Sequence, residues 1–252
     1  RLAYKLANWV NLNVKPPFIL WNAVFMYILI WFALSRRLQV EGTEHIKNLN
    51  PNDPILIAAN HRTFFDFFVV TWVNYDQTTL PRKIFFPVRS TFFYDNPLGM
   101  LLNLIMGGCA MFPPMFRRKD ARDFNQFSVQ RIVEELNSSG CVIGIHPEGT
   151  RNKDPDPTSL LPPKRGIATI LDHAKMVYFV PVFLEGLSNS ILKEVWKNWT
   201  AAKTNPISVR YGAPQLFKDG VRVSTALGKQ DEPDDFRSES QLLEWVMERI
   251  RE

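Results

Sequence analysis

The sequence predicts an α/β fold: a mostly parallel or mixed sheet of about seven strands flanked by helices, with an N-terminal membrane-associated helical element. Three observations predict it. Short apolar runs, such as Ile55-Leu-Ile-Ala-Ala59 and Cys141-Val-Ile-Gly-Ile145, alternate with longer amphipathic stretches. Each of these two runs ends abruptly in a polar loop, as strands of an open α/β sheet do. Residues 17 to 34 carry no charge, and Asn22 is their one strongly polar side chain. At 252 residues and 46% hydrophobic content, residues 38–252 suffice for one α/β domain, preceded by a two-helix membrane-anchoring element at 1–37.

In chain order, Leu2, Leu6, Trp9 and Val10 recur at helical spacing, and Pro16-Pro17 separates that helix from a second over 17–34. The second helix is near the lower length limit for crossing a bilayer, so it either spans the membrane or lies on it as a monotopic element. Trp9, Trp21, Tyr27 and Trp31, flanked by Lys15, Arg36 and Arg37, are residue types that settle at the headgroup level. A packed core helix is the alternative, and the absence of a small-residue cleavage site argues against a secretory signal. Strands are expected at 38–41, 55–59, 84–88, 109–112, 141–145, 178–183 and 207–211. Helices are expected at 65–75, 98–106, 121–137, 165–174 and 239–250, the last opened by the capping box Ser238-Glu-Ser-Gln241. Residues 152–163, rich in proline, form a loop that is either a gate or a rigid spacer, and the acidic segment 231–235 is a second loop.

The chemistry concentrates after the strands at 55–59 and 141–145. His61 and Asp66 lie five residues apart, about 140° around a regular helix, so they meet only where the chain turns. Thr63 supplies that turn by starting a helix at Phe64, which leaves His61 on the preceding loop and Asp66 in the first helical turn. The carboxylate then receives the Nδ1 proton and frees Nε2 as a base. Without a catalytic role, Asp66 is a capping residue and His61 a hydrogen-bonded core histidine. After the second strand comes His146-Pro-Glu-Gly-Thr-Arg151.

Asn60-His-Arg-Thr-Phe-Phe-Asp66 resembles the first motif, histidine-four residues-aspartate, of the 1-acylglycerol-3-phosphate acyltransferase (PlsC-type) family. Pro147-Glu-Gly-Thr-Arg151 is similar to the third motif and Val180-Pro181-Val182 to the fourth, within a resemblance covering residues 38 to 212. It implies transfer of a fatty acyl group from acyl-CoA or acyl carrier protein to a hydroxyl of a glycerol-phosphate lipid, with no cofactor beyond the donor. The second motif departs from the pattern, because Pro113-Pro-Met-Phe intervenes before Arg117-Arg118-Lys119. Three readings stand: the prolines bulge the loop and return Arg117 or Arg118 to the acceptor phosphate; the headgroup differs; or the cations are a solvated run before a helix. His146 is also unusual, since the family more often has an aromatic or aliphatic residue there.

For such a reaction His61 and Asp66 would deprotonate the acceptor, and Arg151 would grip a phosphate with its planar guanidinium. Gly149 permits the sharp turn of a substrate loop that includes Thr150. Glu148 either hydrogen-bonds the glycerol hydroxyl or pairs with Arg151 or Arg62 and holds the loop, and Lys164 extends the anion site or is a solvated helix start. Cys109 and Cys141 sit in apolar runs and offer no nucleophile, so transfer without an acyl-enzyme is expected. Four histidines without metal-ligand spacing argue against a metal. The Phe pairs at 64-65, 67-68, 85-86 and 92-93 are core residues in the main, with an acyl slot as the alternative. A net charge of +5 suits contact with a phospholipid membrane, and no recognition motif points to nucleic acid.

The reading is therefore a membrane-associated acyltransferase of phospholipid biosynthesis acting on lysophosphatidic acid, its site on the cytoplasmic side. Glycerol 3-phosphate or another lysophospholipid is the alternative acceptor. A non-catalytic lipid or acyl-CoA binding protein is the alternative of another class.

Overall fold

The computed structural model describes residues 15–47, 49–50, 52–77, 84–89, 93–107, 110–116, 121–138, 141–225, 236 and 238–252. The strands are β1 (Leu38–Glu41), β2 (Ile55–Ala59), β3 (Ile84–Phe85), β4 (Val88–Arg89), β5 (Pro114–Met115), β6 (Val142–Ile145), β7 (Met176–Glu185), β8 (Ile207–Tyr211), β9 (Gln215–Lys218) and β10 (Val221–Thr225). Among the described residues the helices are α1 (Lys15–Ala33), α2 (Glu44–Lys47), α3 (Asp66–Asp76), α4 (Pro97–Gly107), α5 (Arg122–Asn137), α6 (Gly166–His173), α7 (Ile191–Thr200) and α8 (Glu239–Arg251).

Eight strands form a mixed sheet in the order β1-β8-β7-β2-β6-β3, with β9 on β7 and β10 on β9. The pairs β1–β8, β7–β2, β2–β6 and β6–β3 are parallel, whereas β7–β8, β7–β9 and β9–β10 are antiparallel. Every residue of β2 is buried, as a central strand covered on both faces requires. Its side chains alternate between two cores: Ile55, Ile57 and Ala59 face the α1 and α3 side, and Leu56 and Ala58 face α5, α6 and α8. Phe68 is fully buried on the first side, where truncation to Ala would cost about 3–5 kcal/mol. Phe65, Phe67, Phe85, Phe86 and Phe93 are buried as well, so these phenylalanines are core.

Proline moves two strands from their expected positions. The run at 84–88 divides into β3 and β4 around Pro87, which has no N–H to continue the ladder. Of the expected strand at 109–112, the described residues 110–112 are not in a strand; the ladder forms at Pro114–Met115, against Val88–Arg89 in a separate two-stranded sheet. Helix α7 and strands β9 and β10 were not expected from the sequence. The expected helix near residues 2–10 and the acidic loop at 231–235 lie outside the described residues.

The N-terminal stretch forms a 19-residue helix, α1. Among the described residues no helix is long and apolar enough to cross a membrane, which removes the single-span alternative for them. One side of α1 enters the core through Met26, Ile30 and Ala33, and the other side is exposed. A buried ion pair fixes the chain leaving it: Arg37 bonds Glu194 at 2.5 Å and donates to the carbonyls of Asn205 and Gly186. Both side chains are fully buried, so removing either partner would strand a charge at a cost of about 3–5 kcal/mol.

Candidate active site

Strands β2 and β6 are parallel neighbours, with Ala58 opposite Ile145, so their polar loops leave the same edge of the sheet. Asn60, just past β2, is fully buried and sets the origin of the first loop. Its side-chain amide donates to the carbonyl of Leu184 at 2.9 Å and accepts the Leu184 N–H at 2.7 Å, so it prolongs the β2–β7 pairing in place of backbone.

Helix α3 begins at Asp66, two residues later than the sequence suggested, and the turn before it is organised by Thr63. The Thr63 hydroxyl accepts the Phe65 N–H at 3.1 Å and donates to Asp66 Oδ1 at 2.6 Å. Asp66 Oδ2 accepts from the backbone N–H groups of Arg62 at 2.7 Å and Thr63 at 2.8 Å, and lies 3.0 Å from His61 Nδ1. Burial works to raise the Asp66 pKa, but the hydrogen bond to His61, the electrostatic influence of the His146 and His61 rings and the hydrogen bond from the Thr63 hydroxyl outweigh it and hold the carboxyl below its ordinary value. An ionised Asp66 selects the tautomer with the proton on His61 Nδ1. Nε2 has no partner among the described residues and is free to accept a proton.

His146 lies flat against His61, with ring centroids 4.1 Å apart and planes inclined by 7°. Its Nδ1 is 3.0 Å from the carbonyl of Ala59, and Phe86 supports it at a centroid distance of 5.2 Å. Phe86 reaches that place only because residue 144 is glycine: a Cβ there would stand 2.0 Å from the Phe86 ring. Burial pulls the His146 pKa down to about 3, which keeps the ring neutral.

Glu148 is buried and ties three segments together. Its Oε1 accepts the His61 N–H at 2.8 Å and its Oε2 the Leu161 N–H at 2.9 Å. Burial raises its pKa, with those two N–H groups opposing. The carboxylate thus binds backbone rather than the guanidinium of Arg62 or Arg151. Gly149 adopts a φ of +64°, the turn a side chain would strain, and its missing Cβ leaves room for the Lys164 stem, whose Cγ would be 3.0 Å away. Thr150 is partly buried and follows directly.

Arg151 is exposed and donates to Asn189 Oδ1 at 2.8 Å. The same oxygen accepts the Phe64 N–H at 3.1 Å, so Asn189 joins the two motif loops. Sequence reasoning missed Asn189, which no motif contains. Arg62 points the other way and closes the 152–163 loop through the carbonyls of Asp154, Asp156 and Ser159. With Asn152 N–H on the His61 carbonyl at 2.7 Å, that loop is fastened to the site. The structure therefore brings His61, Asp66, His146, Glu148, Gly149, Arg151 and Lys164 to one sheet edge. Arg117, Arg118 and Cys109 lie outside the described residues, and Cys141 is buried in the core. Among the described residues no group of three or more His, Cys, Asp or Glu side chains could hold a metal ion.

The sequence profile of the Acyltransferase family matches residues 37–185, the span from the end of α1 through β7. No curated protein matches the chain. The crystal structure of the 1-acyl-sn-glycerophosphate (LPA) acyltransferase PlsC from Thermotoga maritima is similar in fold, with a TM-score of 0.52 at 16% identity over 99% of this chain and 91% of that one. Because the profile covers more than half of the sequence and contains both motif loops, the chain belongs to the acyltransferase family.

Proposed function

We propose that the protein transfers a fatty acyl group from a thioester, acyl-CoA or acyl-ACP, to the free hydroxyl of lysophosphatidic acid at a membrane. The observation that carries this reading is the His61 Nδ1–Asp66 contact with Nε2 left open, on the loop that carries the first family motif. His61 Nε2 takes the proton of the acceptor hydroxyl as its oxygen attacks the thioester carbonyl. Asp66 steadies the imidazolium, and on collapse of the tetrahedral intermediate that proton leaves with the thiolate. A thioester is already activated, so positioning and one base suffice, and no acyl-enzyme is required.

Arg151 supplies the acceptor-phosphate contact in this reading, with Lys164 beside Gly149 adding positive charge. Glu148 acts as the brace of both loops. Residues 1–37 form the membrane-anchoring element, α1 lying along the bilayer and the site opening on its cytoplasmic side. The name of the Thermotoga maritima relative supports the choice of acceptor.

The test is product identification. Purified protein is incubated with labelled acyl-CoA or acyl-ACP and, separately, lysophosphatidic acid, glycerol 3-phosphate and other lysophospholipids. Phosphatidic acid is the expected product. Acylation of glycerol 3-phosphate alone would move the reading to that acceptor, and binding of donor without any product would replace catalysis with a lipid-binding role.

A further inference from the structure

Helix α7 is built inside out. Its polar residues Glu194 and Asn198 are fully buried, whereas Leu192 is 79% exposed and Trp196 69% exposed, with Ile191 and Trp199 exposed beside them. Leu192, Trp196 and Trp199 follow the i, i+4, i+7 spacing of one helical face. The buried side is occupied by specific bonds: Glu194 takes Arg37 and the Ser188 hydroxyl, and Asn198 takes the Arg36 N–H and donates to the Phe32 carbonyl. Those bonds lock α7 against the end of α1 and turn Leu192 and Trp196 outward.

The face so produced is continuous with two other helices. On α1, Leu20, Trp21, Val24, Tyr27, Ile28, Trp31 and Phe32 are exposed within one arc of about 140°, on a helix about 28 Å long. Trp31 meets Trp199 edge to face at 5.9 Å, and Trp21 Nε1 donates to the Ile105 carbonyl of α4 at 2.7 Å. On α4, Leu98, Leu101, Leu104 and Ile105 are exposed.

Among the described residues, the charge these three helices leave outside has one sign. Neither α1 nor α4 contains an acid, and Glu194, the one acid of α7, is neutralised in the interior by Arg37. What remains outside is Lys193, partly exposed Lys197, and Arg36, whose guanidinium lies 4.3 Å over the Trp199 ring. The exposed acid Asp95 precedes α4 and lies outside all three helices. Tryptophan, leucine and lysine on one exposed face suit the headgroup boundary of a bilayer bearing negative charge.

We propose that α7, joined to the outer faces of α1 and α4, is a docking surface for an anionic phospholipid bilayer. It deepens the proposed function, resting on the reading that α1 lies on a membrane, and it adds an element beyond the matched residues 37–185. Asn189, the residue before the α7 N-cap Ser190, bonds Arg151, so the docked helix ends at the acceptor-binding side of the site. A lysolipid entering from the headgroup layer would meet that guanidinium first.

The experiment is co-sedimentation with vesicles of phosphatidylcholine alone or mixed with phosphatidylglycerol, together with activity on a vesicle-borne acceptor and on a short-chain acceptor kept monomeric. Wild type should bind the mixed vesicles. L192Q/W196Q should bind at least about tenfold less and lose vesicle-borne turnover in proportion, while keeping turnover of the monomeric acceptor. K193Q/K197Q should weaken binding to anionic vesicles by about tenfold and leave the weak binding to phosphatidylcholine unchanged. Circular dichroism and Tm check that both variants stay folded. L192Q/W196Q bound as tightly as wild type would overturn the inference and leave the acyltransferase reading standing. A concentration-dependent dimer abolished by L192Q/W196Q, with no vesicle binding by wild type, would also overturn it and assign the face to a second copy of the chain. Absence of turnover on the monomeric acceptor in wild type would instead count against the acyltransferase reading.

Discussion

The loop after β2 and the loop after β6 leave adjacent strands at the same edge, yet Asp66 of the first is fully engaged and Arg151 of the second is left open. In the first, the Asp66 side chain is 1% exposed and its oxygens bond two backbone N–H groups, a hydroxyl and an imidazole. In the second, Arg151 is exposed and makes one hydrogen bond among the described residues, to Asn189. The difference teaches how the site divides its work. A base must be oriented before substrate arrives, so its partners are built in; a phosphate grip is completed by the phosphate.

That contrast makes the two loops separable by kinetics. The largest effect is expected for His61→Ala, which should lower kcat by about two to four orders of magnitude with acceptor KM little changed. Wild-type turnover in that variant would remove the mechanism. Asp66→Asn keeps the shape but cannot hold the same tautomer, and should cost about two to three orders in kcat. It should also stabilise the protein less at neutral pH: a carboxyl depressed in the folded state adds stability above its unfolded value, lost as pH falls through the folded one. Denaturation midpoints against pH measure this.

Arg151→Ala should act on the other side of the contrast, raising acceptor KM by about 10- to 100-fold, on the order of one charge-assisted bidentate contact, with donor KM unchanged. A rise in donor KM alone would reverse the assignment. Asn189→Ala should loosen both loops together, raising acceptor KM and lowering kcat, each by only a few-fold, about one hydrogen bond's worth. Effects confined to kcat would place Asn189 with the base rather than between the loops.

The smallest kinetic effect is expected for His146→Phe, which preserves a flat partner for His61. Its signature is acid stability. The His146 pKa falls from 6.5 to about 3 on folding, so between those values the unfolded chain binds a proton that the folded chain refuses. Wild-type stability should drop as pH falls across that window, and His146→Phe should drop less. Urea titrations at several pH values decide it: parallel curves for the two proteins would show that burial does not hold this ring neutral.

Much of this architecture was legible residue by residue. The runs at 38–41, 55–59 and 207–211 are strands with those bounds, and the five expected helices lie within two residues of their predicted limits. Apolar periodicity reports burial directly, which is why it served. It failed where proline redirected the ladder, at Pro87 and Pro113, and at α7, whose buried positions are Glu194 and Asn198. There the signal was present in reverse, as Leu192, Trp196 and Trp199 at helical spacing behind the N-cap Ser190, whose hydroxyl accepts the Lys193 N–H.

By itself the sequence determined the α/β alternation, the placing of His61 and Arg151 on loops after strands, and the five-residue gap that lets Asp66 turn back to the imidazole. These are local facts, settled by propensity, capping and spacing over a few residues. Only the tertiary structure decided that His146 stacks on His61, that Glu148 braces backbone instead of pairing with arginine, and that Asn189 joins the two loops. These contacts span 87 residues for His61 with Glu148 and 125 for Phe64 with Asn189. Such pairings depend on strand order and register, which set neighbours in space and leave no mark on the spacing of residues along the chain.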